Sequence, residues 1–350
     1  MSDPVTIVIP HYRAAVLSEC LESLYAHCDL PIRVLVVDDG GNAPSLQRAA
    51  ACFPQIEVLR NERRLWFAGS CNRGLAAVTT PYAVLLNDDT RVTPGWLGPL
   101  VAACQADSRT AACQPKLLSA VDPGYFDYGG GAGGYIDRFG YTFCRGRLFD
   151  HREADQGQYD HPVPLFWACG SALFLRTSAA RQVGLLDVDF FMHFEEIDLC
   201  WRLRLAGYRI WAVPQSVVYH HSGFSLPPRS WLKTYLNHRN SLVMLCKNLD
   251  PGELAWLLPV RLGLETLAAA AYLLRRPGSA TAPLAAGLWL AAHVRQVRRR
   301  RRHSRALQSP NGAQGGRLRG EGVYPGSILW QHWVGRRTRA SELIDEGTLW

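Results

Sequence analysis

The chain has 350 residues, enough to bury a full core as one large domain or two smaller ones, and its 48% hydrophobic share is ordinary for a folded protein. Its formal charge of +8 is concentrated in a block from Arg295, "RQVRRRR", continued by Arg302, His303 and Arg305; such a block can attract nucleic acid or anionic lipid, or simply be solvated. The ten cysteines include no Cys-x-x-Cys pair, and "MSDPVTIVIP" has no basic leader, so buried free thiols in a reducing cytosol are expected rather than a disulfide framework.

"VTIVIP" (5–10) is a short apolar strand, and "LSECLESLYAHC" (17–28) sets Leu17, Leu21, Leu24 and Tyr25 on one helical face. "IRVLVVDDG" (32–40) and "IEVLRN" (56–61) read as strands, "GSCNRGLAAV" (69–78) as a helix, and "YAVLLNDD" (82–89) as a fourth strand before the helix "GWLGPLVAAC" (95–104). Apolar strands alternating with amphipathic helices predict a mainly parallel central sheet covered on both faces, with ligands at the strands' C-terminal ends. The glycine- and aromatic-rich stretch 127–146 predicts a hairpin or mobile loop. Beyond it, 165–184 reads as strand then helix, 190–208 as an aromatic turn then helix, and "RIWAVPQSVVYHHSG" (209–223) as strand, turn and second strand.

A helix over 231–249 precedes a shift to Leu, Ala and Trp over 251–278 and 282–297. Arg261 and Glu265 interrupt the first segment and the second is short, so a membrane-surface helical pair is expected in preference to spans, with a helical cap over the core as the rival reading. The arginine block suits anionic headgroups. Residues 303–350 read as a loosely ordered tail.

Four polar groups stand at element ends: Asp38-Asp39, Asn87-Asp88-Asp89, Glu195-Glu196 with Asp198, and His220-His221. Each alone has an ordinary explanation as a turn, a helix start or a solvated loop. Together they fit a site in which Mg²⁺ or Mn²⁺ joins Asp89, with or without His220, to a phosphate, while a carboxylate of the 195–198 cluster removes a proton. The chain lacks a Walker loop ending in Gly-Lys-Ser/Thr, and no G-x-G-x-x-G follows the first strand, which disfavours ATPase and dinucleotide chemistry.

Seven stretches, "VTIVIPHYR", "VLVVDDG", "NERRLWFAGSCNRGL", "VLLNDDT", "CGSALFLR", "FFMHFEEIDLCWRLRLAGY" and "VVYHHSG", follow one another in an order that resembles the inverting family 2 glycosyltransferases, especially their rhamnosyltransferase-like bacterial branch. The resemblance covers about residues 3–240 and implies an α/β GT-A fold with a C-terminal helical extension. It implies a glycosyltransferase domain over 1–240, with nucleotide-binding and acceptor-binding halves meeting near residue 105. A membrane-associating region over 241–302 and the tail follow.

By the same resemblance, Pro10, Tyr12, Asp38 and Asp39 line the nucleotide pocket, Asn61, Gly69 and Asn72 close around base and ribose, and Arg73 lies beside them. Asp89 takes the metal role with Asp88 facing or supporting the sugar. His220, in preference to His221, completes the metal site. Glu196 is the implied base, with Glu195 and Asp198 as alternatives. Trp167, Glu195 and the loop 127–146 are plausible acceptor contacts. The implied reaction moves a sugar, with dTDP-rhamnose favoured and UDP-sugars such as UDP-galactose or UDP-N-acetylglucosamine open. The acceptor would be a hydroxyl of a saccharide or lipid-linked saccharide in cell-envelope polysaccharide synthesis, at the inner face of the cell membrane. The rivals are a nucleotidyltransferase and a basic nucleic-acid-binding protein. No aromatic-interleaved basic face supports the latter, so no nucleic acid is expected.

Overall fold

The computed structural model describes residues 5–12, 15–40, 44–222, 230–309 and 316–344. Its first part is the expected alternation: β1 (Val5–His11), α1 (Leu17–His27), β2 (Ile32–Asp38), α2 (Pro44–Cys52), β3 (Glu57–Arg60), α3 (Trp66–Ala77) and β4 (Tyr82–Leu86). Then come β5 (Thr90–Val92), α4 (Leu97–Ala106) and β6 (Thr110–Ser119), followed by the short strands β7 (Gly134–Asp137), β8 (Thr142–Cys144), β9 (Arg147–Leu148), β10 (His151–Arg152) and β11 (Val163–Pro164). β12 (Ala172–Arg176), α5 (Thr177–Gln182), α6 (Glu195–Leu205) and β13 (Arg209–His220) complete the main layer.

The main sheet has the order β11-β13-β6-β12-β4-β1-β2-β3, with β5 on β13. It is parallel from β3 to β4, but β12 runs antiparallel to both β4 and β6, so the sheet is mixed. Because β2 and β4 flank β1 on opposite sides, strand addition reverses there and a crevice opens at the strands' C-terminal ends. The helices close on this sheet tightly. A Cβ on Gly74 of α3 would lie 2.2 Å from Val8 Cγ1, which is why a glycine stands inside that helix.

Three readings of the sequence change. The stretch 110–119, unassigned from sequence, is a ten-residue central strand. Residues 209–220 form one strand, not two; the expected turn is an irregularity in register between Val213 and Val217, beside Pro214, which has no N–H for the ladder. The tail is ordered over much of its length: β14 (Val323–Tyr324) adds in parallel to β7 in a second sheet, β10-β9-β8-β7-β14, before α11 (Ile328–Trp333). Ile328 N donates to Asp137 Oδ2 at 3.0 Å and Ala340 N to Glu153 Oε1 at 2.8 Å, tying the tail down. Residues 310–315 and 345–350 of that tail lie outside the described residues. The stretch 127–146 holds the β7–β8 hairpin. All ten cysteines are free thiols.

Helices α7 (Trp231–Asn248), α8 (Pro251–Arg275), α9 (Ala282–Ala292) and α10 (Val294–Ala306) pack as a group on the core, α7 against the other three. Helix α8 is long and apolar enough, by length and composition, to cross a membrane. The charges that interrupt its sequence point inward. Arg261 donates to Phe139 O, Gly140 O, Ser241 Oγ and Glu265 Oε1, and Glu265 also binds His238. Leu257, Arg261, Glu265 and Ala269 form the buried face, whereas Trp256, Leu262, Leu267, Leu273 and Leu274 are exposed.

Candidate active site

The β1–β4 register pairs Val8 with Leu85, and continuing it carries His11 to Asp88. There His11 Nδ1 meets Asp88 Oδ2 at 2.6 Å, with Ser45 Oγ 3.3 Å from Nε2. Burial raises the Asp88 carboxyl's pKa against the opposing pull of His11. Asp88 is therefore held from beneath by a histidine that sits between Pro10 and Tyr12 in the first motif and was given no role there.

Asp89 follows on the turn into β5, and His220 ends β13 beside it. His220 Nε2 lies 3.1 Å from Asp89 Oδ1 and 3.3 Å from Asn87 Nδ2. The opposite nitrogen, Nδ1, lies 3.1 Å from Asp127 Oδ2, and Asp127 is fixed by Gly129 N (2.6 Å) and Ser222 Oγ (2.9 Å). Burial lowers the pKa of His220, but Asp127 and Asp89 outweigh it and lift it to about 10. A carboxylate on one imidazole nitrogen is how a ligating histidine is commonly held, with the other nitrogen left for the metal; a cation beside Asp89 would displace the proton that the two carboxylates hold on His220. Asp89 Oδ1 is buried, with the His220 imidazole 3.1 Å away as its polar neighbour, a pairing that a cation could enter.

The donor set of one carboxylate and one imidazole fits Mn²⁺, and the carboxylate fits Mg²⁺. Among the described residues no three His, Cys, Asp or Glu side chains form a ready-made cage, so a cation would take its other ligands from a diphosphate and water. His221 contributes its backbone instead, its N–H donating to Asp89 O at 3.0 Å.

Across the crevice, Ser171 O accepts from Asn87 N at 3.0 Å, and Ser171 Oγ lies 3.4 Å from Asn87 Nδ2. Next to it, a Cβ on Gly170 would be 3.8 Å from Glu196 Cβ, so residues 170–171 connect the Asn87–Asp89 turn to the start of α6. Glu195 and Glu196 occupy the first turn of that helix, and Oε2 of each is buried without a hydrogen bond. Burial lifts Glu196 to about 7, although the N–H groups of Glu196, Ile197 and Gly170 oppose it. Burial, and then the neighbouring Glu196, raise Glu195 well above the carboxylate range.

Asp198 is elsewhere employed. Arg202 Nε (2.8 Å), Lys247 Nζ (2.9 Å) and Asn248 Nδ2 (2.9 Å) all donate to its fully buried carboxylate, and Lys247 and Arg202 hold its pKa below the usual value despite burial. That removes Asp198 from the candidate bases.

The chain into α6 is strained: Phe191, His193 and Phe194 have φ of 62°, 68° and 72°, each costing a non-glycine residue about 1–3 kcal/mol.

Several other expected contacts fall differently. Trp167 is buried, its indole N–H donating to Tyr135 O at 2.9 Å, so it is core and not an acceptor contact. Asn72 spends its amide on the backbone of Leu186, donating at 2.8 Å and accepting at 3.0 Å. Asp39 accepts from Leu65 N, Trp66 N and Asn61 Nδ2 and so secures the start of α3. Gly69 lies within α3, where a Cβ would meet Leu65 Cβ at 2.8 Å, and Arg73 is exposed. Pro10 and Asp38 stand at the C-terminal ends of β1 and β2, with Tyr12 just beyond β1. Tyr12 is joined there by Arg64, whose guanidinium lies 4.0 Å from its ring centre and 3.9 Å from that of Trp66. The residues missed by sequence, His11, Asp127 and Arg64, lie inside or beside quoted motifs.

Two family models match: Glycosyl transferase family 2 over residues 6–143 and Glycosyl transferase family group 2 over residues 82–294. Over 235 residues the chain is 31% identical to the pre-mycofactocin glycosyltransferase of Mycobacterium tuberculosis, a match covering 65% of this chain and 44% of that protein. It thus spans under half the length of that relative. It is 27% identical over 283 residues to the N-acetylglucosaminyl-diphospho-decaprenol L-rhamnosyltransferase of the same organism, covering 75% of this chain and 89% of the relative. The crystal structure of GalNAc-T7 with UDP, GalNAc and Mn²⁺ superposes with a TM-score of 0.56 at 17% identity, over 71% of this chain and 48% of that one. The fold is GT-A, and the chain belongs to glycosyl transferase family 2.

Proposed function

We propose that the chain is a metal-dependent, inverting glycosyltransferase that moves a sugar from a nucleoside diphosphate to an acceptor hydroxyl. The observation that carries this reading is the pairing of Asp89 Oδ1 with His220 Nε2, backed by Asp127, on one side of the crevice, with a half-ionised Glu196 on the other. Asp89 and His220 would hold Mg²⁺ or Mn²⁺, which when bound neutralises charge on a leaving diphosphate. Tyr12, Asp38 and the Arg64 stack line the nucleotide side, and Asp88, braced by His11, supports the sugar. Glu196 takes the proton from the acceptor hydroxyl. As that oxygen bonds to the anomeric carbon, the bond from that carbon to the diphosphate oxygen breaks, inverting the anomeric centre in one displacement.

The L-rhamnosyltransferase relative supports rhamnose, carried by dTDP, as the donor sugar, and its diphospho-decaprenol acceptor supports a lipid-linked saccharide here. The outward apolar face of α8 and α9, with Arg295, Arg298, Arg299 and Arg302 exposed on α10, supports a peripheral position on an anionic membrane, at the inner face of the cell membrane. Purified protein screened against dTDP-rhamnose and UDP-sugars with Mg²⁺, Mn²⁺ or chelator, reading both nucleoside diphosphate and glycoside, tests the reading. Metal-dependent release with glycoside formation is expected, lost in Asp89→Ala. Pyrophosphate release, or full turnover by Asp89→Ala, would defeat it.

A further inference from the structure

The residues that lead into Glu195-Glu196 are held less by their own helix than by two others far along the chain. Asn240 Nδ2 on α7 reaches the carbonyl oxygens of Phe190 (3.0 Å), Met192 (2.9 Å) and His193 (2.7 Å). Three carbonyls converging on one point repel unless donors stand between them, and Asn240, 1% exposed, supplies those donors. Its orientation is set by Arg239, whose Nε donates to Asn240 Oδ1 at 2.8 Å while Nη2 donates to Asp189 O at 2.7 Å. Helix α10 grips the same segment one turn earlier. Gln296 Nε2 donates to Asp189 Oδ2 at 2.9 Å, and Arg300 pairs with Asp187 at 3.1 Å and with Asp189. Lys247 of α7 adds a 2.6 Å bond to Asp187. From the opposite side, Ala68 N of α3 donates to Phe191 O at 3.2 Å. The gripped residues include Phe191 and His193, two of the three with left-handed backbone, a path the segment would not keep unaided.

We propose that α7 and α10 form a clamp, through Asn240, Arg239, Gln296 and Arg300, that holds residues 187–194 in the path presenting Glu196 to the acceptor. These are positioning residues, and the C-terminal helices belong to the catalytic apparatus as well as to any anchoring surface. The inference rests on Glu196 as the base. It also links that surface to the chemistry, because α10 carries its exposed arginines and its grip on Asp187 and Asp189 on one short helix.

The test compares Asn240→Ala, Gln296→Ala, Arg300→Ala and Arg300→Lys with Glu196→Gln in the full chain. Turnover is measured with the donor identified by the screen, and affinity for the nucleoside diphosphate with Mn²⁺ by calorimetry. Misplacing a base by about an ångström costs roughly 10- to 100-fold in kcat, so the alanine variants should lose that much while nucleotide affinity stays within about twofold. Arg300→Lys, which keeps the charge, should recover part of the loss. If kcat holds in the alanine variants, or kcat and nucleotide affinity fall together, the clamp is wrong. Should Asn240→Ala fail to fold, Gln296→Ala and Arg300→Ala at the outer edge decide. Full turnover by Glu196→Gln overturns the assignment of the base, whereas a dead Glu196→Gln beside fully active clamp variants overturns the clamp alone.

Discussion

Two adjacent carboxylates buried at one helix start cannot both stay charged, because like-charge repulsion adds to the loss of water that burial imposes. The chain divides the burden: Glu195 is pushed well above the carboxylate range, and Glu196 is left near 7. A base must be deprotonated to act, so turnover should fall as pH drops through about 7 and level off above it, with the slope of one proton. Glu196→Gln should lose about 100- to 10,000-fold and lose that acidic limb, while still binding donor. Initial rates of nucleotide release across a pH series check both. Asp89, His220 and the acidic pair stand out in sequence because polar residues closing apolar runs are visible in one dimension, and the fold brings Asp89 and His220 to 3.1 Å. Asp127 does not stand out, because it opens a glycine-rich stretch and meets His220 only through a contact spanning 93 residues. Sequence could not show that the side chains of Asn72 and Asp39 bind the backbone of Leu186 and of Leu65–Trp66.

The first turn of helix α6 sets carboxylates without a partner, at Glu195 Oε2 and Glu196 Oε2, beside one that is fully paired, Asp198. Asp198 sits three residues after Glu195, where shared facing makes it look like a third candidate base. Two cations and an amide enclose it instead, joining α6 to α7. Breaking such a buried pair by removing one partner leaves uncompensated charge and costs about 3–5 kcal/mol. Asp198→Ala should therefore lower the denaturation midpoint markedly, while Glu196→Gln should leave it nearly unchanged; equilibrium denaturation of both variants separates the roles. The early βαβ series was legible because each strand and helix keeps its own period. In sequence β6 has no reading and β13 is split at a turn; in the sheet Pro115 is paired with Val213, and the ladder absorbs Pro214 with a register shift.

At the scale of the molecule, the charges of α8 decide how the C-terminal third faces its surroundings. In sequence Arg261 and Glu265 look like interruptions of an apolar helix; in three dimensions they are the buried face, bonded to each other, to Ser241 and to His238. The outer face is left to leucine and tryptophan, with Leu267 66% and Leu274 87% exposed. The tail extends this surface, since Trp330 and Trp333 of α11 are exposed and Arg275 at the end of α8 stacks on Trp333. An apolar patch of this kind, edged by exposed arginines, suits a bilayer interface better than open water. Leu267→Asp with Leu274→Asp should abolish co-sedimentation with anionic vesicles while turnover on a short water-soluble acceptor persists. Charge reversal at Arg298 and Arg299 should weaken binding to anionic vesicles only, by about 1 kcal/mol per arginine, and added salt should mimic it. If the double aspartate variant still binds vesicles, the apolar face is not the contact. If binding ignores both salt and headgroup charge, Arg298 and Arg299 are not the contact, and the basic residues of α10 act through Arg300 on Asp187 and Asp189 and Arg305 on Asp250.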